Sequence, residues 1–79
     1  MRKIFELRYR DGSEVRKNDR VLVYPKRHAV VEAILRPGSK RARDYDVDKE
    51  GGFILRFDDG DVQVWLSAQD EIELIRRQS

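Results

Sequence analysis

Hydrophobic and polar residues alternate along several short stretches of this chain, most clearly between residues 53 and 66. Every second position on both sides of a turn sequence is apolar, and these positions are Phe53, Leu55, Phe57, Val62, Val64 and Leu66. The intervening Asp59-Gly60 is a strong hairpin signal, because glycine adopts the positive φ that tight hairpin turns require. The pattern predicts two antiparallel strands whose alternating apolar side chains all face the core.

The residues between these apolar positions then face the opposite side of the sheet. Ile54 and Trp65 belong to this outer set, and an exposed patch centred on a tryptophan usually marks an interface. The alternative is that the N-terminal segment covers Trp65. Phe5, Leu7 and Tyr9 also alternate and need a surface to pack against, so we favour the covered arrangement.

The same alternation predicts the remaining strands. We expect an N-terminal strand over residues 3–10, with a return after Asp11-Gly12. A strand at 20–24 ends at Pro25, and a strand at 29–35 has Val31, Ala33 and Leu35 on one face. One helical turn at 67–70 precedes a last strand at 71–75, with Ile72 and Leu74 inward. Five short strands at this spacing predict an all-β fold, a small and strongly bent antiparallel barrel.

Residues 37–52 form the one long connection, and connections of this length tend to be functional or disordered. Between residues 39 and 50 the chain has eight charged side chains and three apolar or aromatic ones, Ala42, Tyr45 and Val47. Such a segment buries little apolar surface to offset its ordering entropy. We therefore expect the barrel not to depend on this loop.

Length and composition restrict the class of protein. A chain of 79 residues makes one domain, which we divide into an N-terminal extension (1–17) and a barrel core (18–76). It has no cysteine and no apolar run long enough to cross a bilayer, so we expect a soluble, cytoplasmic protein with no membrane partner. Charged residues are 41% of the chain but the net charge is only +2, so any electrostatic function must come from clustering.

Two stretches resemble a known superfamily. The run Lys17-Asn-Asp-Arg-Val21, followed by a strand, a tight turn and a valine-rich strand, resembles the opening of SH3-like barrels of the KOW and Tudor kind. Those families often have Gly-Asp where this chain has Asn18-Asp19, and asparagine also tolerates positive φ. Ile54-Leu-Arg-Phe-Asp-Asp-Gly60 is similar to the third strand and turn of Tudor-like domains. The resemblance implies a binding module for nucleic acid or peptide ligands.

Basic residues cluster around the strand at 29–35. They occupy the turn before it and the loop after it, at Lys26, Arg27, Arg36, Lys40, Arg41 and Arg43. On one rim of a barrel they would form a patch able to hold phosphates. The alternative is that Arg41 and Arg43 fold back onto the acidic residues that follow, Asp44, Asp46 and Asp48, which would cancel the field.

Catalytic chemistry is poorly supported by the sequence. The one histidine is His28, and the carboxylates of Asp58, Asp59 and Asp61 suit a hairpin tip open to water, where they should stay ionised. We therefore predict no catalytic, cofactor or metal residues, no small-molecule substrate, and a monomer by default.

The sequence thus predicts a non-enzymatic module that binds RNA or single-stranded DNA weakly through the basic rim. The alternative is a small protein-binding inhibitor, immunity-type or adaptor protein. It would use the acidic segment with Asp44, Asp46 and Asp48, and the face with Ile54 and Trp65.

Overall fold

In the part of the chain that the structure describes, five antiparallel strands form one sheet in the order β4-β3-β2-β1-β5. The structure is a computed structural model, and it describes residues 5–68 and 71–77. Its elements are β1 (Arg20–Val23), β2 (Arg27–Leu35), α1 (Lys40–Asp44), β3 (Gly52–Phe57), β4 (Val62–Trp65) and β5 (Ile72–Arg76). The predicted all-β class and the five predicted strands are confirmed. Within the described ranges no helix is both long and apolar enough to span a bilayer.

The N-terminal segment packs as predicted but is not a regular strand. Its chain reverses at Asp11-Gly12, where the Tyr9 N–H donates to the Ser13 carbonyl at 2.8 Å. Among its described residues, from Phe5 onward, the further strand pairings are isolated bridges, one of which joins Tyr9 to Ala68. Leu7 and Tyr9 are buried in the main core and Phe5 packs against it, so their predicted inward face is confirmed. The helical turn predicted at 67–70 lies partly outside the described residues.

Two groups of buried side chains stabilise the sheet from opposite faces. The main core combines the N-terminal segment with the inner face, and its members are Leu7, Tyr9, Val15, Val21, Val23, Ala29, Val31, Phe53, Leu55, Phe57, Ala68 and Ile72. The second core is smaller and consists of Ala33, Leu35, Ala42 and Ile54, with Val47 packed against it. A sheet covered on both faces over part of its length explains why β3 is buried at five of its six positions.

A β-bulge in β2 divides its apolar side chains between the two cores. Val31 lies opposite Leu55, but the next paired residue, Ala33, lies opposite Ile54. The extra residue reverses the alternation, so Ala33 and Leu35 face the second core while Val31 faces the main core. The prediction that these three side chains share one face was therefore wrong.

The register of the β3-β4 hairpin also differs from the prediction. The Phe57 N–H donates to the Asp61 carbonyl at 2.8 Å, and Gly60 has φ 96°, so the loop contains three residues rather than two. A one-residue change in register turns every side chain of the strand to the other face. Trp65 consequently lies opposite Phe53 and packs against the main core. The residues predicted to face inward are exposed instead, namely Val62, Val64 and Leu66.

The long connection contributes to the core, contrary to the expectation from its composition. Ser39 caps helix α1, since its hydroxyl oxygen accepts a 3.1 Å hydrogen bond from the Ala42 N–H. The cap places the Ala42 side chain against the second core, where it is fully buried. Val47 packs on the same core, and Tyr45 remains 43% exposed. The loop is thus a structural cover for Ile54 and Leu35.

Candidate nucleic-acid interface

The predicted basic rim is divided between the two ends of β2. Lys26 and Arg27 lie at its beginning, whereas Arg36 follows its last residue. At about 3.3 Å per residue, a strand of this length separates its ends by up to about 27 Å. The structure therefore does not bring all six basic residues together on one rim.

At the end with Lys26 and Arg27, carboxylates of the β3-β4 hairpin balance the positive charges. Arg27 donates to Asp59 at 3.1 Å and to Asp61 at 3.3 Å, and its guanidinium carbon lies 3.9 Å from the centre of the Phe57 ring. Arg20 forms a bidentate pair with Asp58, with one contact at 2.8 Å. Although exposed ion pairs contribute little to stability, they cancel the local field. This end offers little attraction to a polyanion.

The opposite end has several cations without ion partners. We call it the basic end and define it by Lys17, Arg36, Lys40, Arg41 and Arg43. All five residues are exposed, and none lies within 4 Å of a carboxylate among residues 5–68 and 71–77. The predicted alternative, in which Arg41 and Arg43 pair with Asp44, Asp46 and Asp48, is not what the structure shows.

The sequence alone did not place Lys17 among the basic residues of this end. The asparagine that follows it adopts φ 74°, and the N–H of Asn18 donates to the Val31 carbonyl at 2.8 Å. This turn holds Lys17 near the C-terminal half of β2, so that Lys17 and Arg36 line the same groove. The Lys17-Asn-Asp sequence indicated a turn at this position, because asparagine adopts positive φ more readily than most residues other than glycine.

That groove is lined by apolar as well as charged side chains. Its apolar lining comes from Phe5, Leu7, Val15 and Ile34, and its polar lining from Glu14, Arg16, Lys17 and Arg36. Arg16 pairs with Glu14 at 3.0 Å, which leaves Lys17 and Arg36 as the groove's cations without an ion partner in the described chain. Apolar surface bordered by cations suits a ligand with flat bases and a charged backbone.

Acidic residues also lie close to the basic end. Asp44, Asp46, Asp48 and Glu50 are exposed and have no ion partner within the described part of the chain. Their negative field reduces the attraction of Lys40, Arg41 and Arg43 for phosphates. Any polyanion binding here should therefore be weak and sensitive to salt.

The predicted protein-binding face is not present in the expected form. Ile54 is fully buried under α1 rather than exposed, because the loop covers that side of the sheet. Trp65 is partly buried, and its indole N–H donates to the Gln63 side-chain oxygen at 3.1 Å. The favoured arrangement, a Trp65 packed with the N-terminal residues, agrees with its contact with a core that includes Leu7 and Tyr9.

Two carboxylates of the hairpin tip, Asp58 and Asp61, have lowered pKa values because of hydrogen bonds from neighbouring side chains. A hydrogen bond from Arg20 lowers the pKa of Asp58. Hydrogen bonds from Gln63 and then Arg27 lower the pKa of Asp61. A general acid needs the opposite shift. In the described ranges no three histidine or carboxylate side chains converge to hold a metal ion.

The chain has no detectable relatives in the comparisons with known proteins. No protein-family model, no curated protein and no solved structure matches it.

Proposed function

We propose that this protein is a non-enzymatic binding module that holds single-stranded RNA or DNA weakly at its basic end. The observation that carries the proposal is a set of five exposed cations that pair with no carboxylate of the described residues: Lys17 and Arg36 line one groove, and Lys40, Arg41 and Arg43 lie on α1. The charges at the other end of β2 are balanced by contrast. Phosphate contacts from lysine and arginine supply most of the affinity of such modules. The resemblance to SH3-like barrels of the KOW and Tudor kind, which often bind nucleic acid, supports the same proposal.

Tyr45 gives the basic end an aromatic surface. It follows α1 directly, is 43% exposed, and lies two residues after Arg43. Stacking of a base on an aromatic side chain contributes about 1–3 kcal/mol and tolerates any base. A single strand can stack an unpaired base on Tyr45, whereas a duplex keeps its bases stacked internally. We therefore infer a preference for single strands.

Fluorescence anisotropy with labelled oligonucleotides tests the proposal. Single-stranded RNA and DNA should bind at low salt, and the duplex of the same sequence should bind less tightly. With at most five phosphate contacts, the slope of log K against log salt should be no steeper than about −3.5 for a single strand. Absence of binding to any oligonucleotide at low salt would contradict the proposal.

Tyrosine variants then separate stacking from charge. Tyr45→Ala should weaken single-strand binding by about 5- to 150-fold, which corresponds to the stacking contribution of one base. Tyr24→Ala is the matched control, because Tyr24 is similarly exposed at 47% but lies after β1, at the charge-balanced end. Equal effects of the two substitutions would rule out a specific stacking role for Tyr45.

The second candidate is a protein-binding inhibitor or adaptor that uses the acidic segment. It is favoured by the exposed carboxylates of Asp44, Asp46 and Asp48, which no cation in the described chain neutralises. Changing all three to asparagine distinguishes the candidates. Asparagine also suits position 46, where φ is 60°. Nucleic-acid affinity should rise in this variant, while binding to a basic protein partner would fall.

A further inference from the structure

The outer edge of β4 is a candidate surface for strand pairing. β4 is the last strand of the sheet, and within residues 5–68 and 71–77 no strand pairs with its outer side. Val62 is 48% exposed and Val64 36% on one face of β4, and Leu66, directly after the last residue of β4, is 51% exposed. The three-residue hairpin loop produces this exposure, because it directs Gln63 and Trp65 toward the main core instead.

The backbone of the same residues faces the edge. Phe57 and Asp61 form a hydrogen-bonded pair, so the pairs Leu55–Gln63 and Phe53–Trp65 are hydrogen-bonded as well. Residues between them on an antiparallel strand direct their N–H and C=O groups away from the neighbour. Val62 and Val64 therefore offer backbone donors and acceptors as well as apolar side chains to an incoming strand.

β4 is short, with four residues, but among the other features that usually prevent such pairing the edge has none. Proteins protect edge strands with lysine and other charged side chains, proline or bulges. The segment 62–66 reads Val-Gln-Val-Trp-Leu, with neither a charge nor a proline, in a chain with 41% charged residues. Its register with β3 is regular over all four paired positions. This combination indicates that the edge of β4 pairs with another strand in the functional protein.

We propose that β4 pairs antiparallel with β4 of a second copy of this chain, about a two-fold axis at Val64. In this register Val64 lies opposite Val64, and Val62 lies opposite Leu66 of the second copy. All three exposed apolar residues then meet apolar partners on the same face. The uncharged segment brings no like charges into opposition, and Asp61 falls opposite Ser67 of the second copy. A two-fold axis at Gln63 would instead place Leu66 opposite Gly60 at the acidic hairpin tip.

Self-pairing fits this edge better than an unrelated peptide does, because the strand is complementary to itself in one register. The contact is short, so it belongs to the weak class of interfaces that bury less than about 1,200 Å². The dimer should accordingly form only at high protein concentration. It would place two basic ends in one particle without involving any residue of the basic end.

Single cysteines test both the pairing and its register, since the natural chain has none. Directly opposed hydrogen-bonded residues have Cα atoms about 5.5 Å apart, within the range that a disulfide bridges. Val64→Cys should therefore form a covalent dimer on mild oxidation. Val62→Cys alone and Leu66→Cys alone should not, because each lies about 14 Å along the strand from its own copy. An oxidised mixture of Val62→Cys and Leu66→Cys should yield the mixed dimer.

Sedimentation velocity of the full chain without cysteines provides the independent measurement. The natural protein should change from monomer to dimer as its concentration approaches the millimolar range, and Val64→Lys should remain monomeric. Ile75→Lys is the matched control, because Ile75 is 50% exposed on β5, the other edge of the sheet. It should dimerise like the natural protein. A natural chain that stays monomeric, a Val64→Lys variant that still dimerises, or equal cross-linking of all single cysteines would overturn the proposal.

Discussion

The Tyr9 hydroxyl donates a 2.7 Å hydrogen bond to Oδ2 of Asp19, and Asp19 is fully buried. The same oxygen accepts from the Arg16 backbone N–H at 2.9 Å, and Oδ1 accepts from Nε of Arg77 at 3.2 Å. One carboxylate thus links the N-terminal segment, the start of β1 and the end of β5. Because buried charges are retained only when they are paired and hydrogen-bonded, this network should be a major determinant of stability.

Removal of the Asp19 carboxylate should strongly destabilise the fold. Asp19→Ala leaves the Tyr9 hydroxyl and the Arg16 N–H without their acceptor, so we expect a loss of about 2–5 kcal/mol in the free energy of unfolding. Tyr9→Phe removes one hydrogen bond to a charged group and should cost about 1–3 kcal/mol. Tyr24→Phe is the control, since its hydroxyl bonds Glu73 at the surface and its loss should cost less than about 0.5 kcal/mol. Urea denaturation measures all three, and equal stability of the Tyr9 and Tyr24 variants would contradict this account.

The same network predicts a loss of stability in alkali. Burial, followed by the hydrogen bond to Asp19, raises the pKa of Tyr9 above its usual value of 10. The folded chain therefore holds the phenol proton more tightly than the unfolded chain does. The resulting stability is complete below about pH 10 and decreases as the pH rises further. In urea titrations between pH 8 and pH 11, the difference in stability between the natural protein and Tyr9→Phe should shrink above pH 10. A constant difference would show that Tyr9 does not titrate differently in the two states.

Ala42 should be the least tolerant position of the long connection. Its side chain is fully buried against Ala33, Leu35 and Ile54. Ala42→Gln adds volume and an amide to this site, and we expect a loss of about 2–4 kcal/mol. Arg41→Gln, the same new residue one position earlier on the exposed side, should stay within about 0.5 kcal/mol. Comparable urea midpoints for the two variants would mean that α1 does not cover the second core.

Replacement of the whole connection tests the same point on a larger scale. A short glycine-containing turn in place of residues 39–50 would remove Ala42 and Val47 and expose the fully buried Leu35 and Ile54. We now expect this variant to be less stable than the natural protein, whereas composition alone suggested no loss. Full retention of the melting temperature would restore the interpretation of the segment as a dispensable loop.

Much of the fold could be predicted from local patterns. The five strands and the inward face of Phe5, Leu7 and Tyr9 follow from period-two alternation, which reports directly on burial. Asn18, a residue type that tolerates positive φ, has φ 74°. These features depend on residues close together in the chain, where side-chain chemistry and backbone conformation are directly coupled.

The registers could not be predicted in the same way. Asp59-Gly60 fits both a two-residue loop and the three-residue loop that the structure has, and the two place Trp65 on opposite faces. The bulge after Val31 likewise leaves no signal in an alternating run, yet it moves Ala33 to the other core. The hairpin register moves Val64 and Trp65 to the faces opposite to those predicted, and α1 covers Ile54. The predicted protein-binding face therefore contained one buried residue and missed the exposed stripe. Register depends on tertiary packing, and local alternation does not report it.

The basic end was predicted in part. Four of its basic residues lie close together in the chain, at the start of the connection between β2 and β3: Arg36, Lys40, Arg41 and Arg43. Lys17 lines the same groove as Arg36 only because the turn at Asn18 places it beside β2. Lys26 and Arg27 were included because they precede the same strand, but the strand's length separates them from Arg36.

The most direct test of the proposed function compares two double variants with the same change in charge in a salt titration of single-strand binding. Arg41→Ala/Arg43→Ala should lower affinity about equally for all sequences, because phosphate contacts carry no sequence information. It should also make the slope of log K against log salt shallower by up to about 1.4. Lys26→Ala/Arg27→Ala, at the balanced end, should leave both the affinity and the slope nearly unchanged. Equal losses in the two variants, or a loss confined to Lys26→Ala/Arg27→Ala, would contradict the assignment of the binding surface to the basic end.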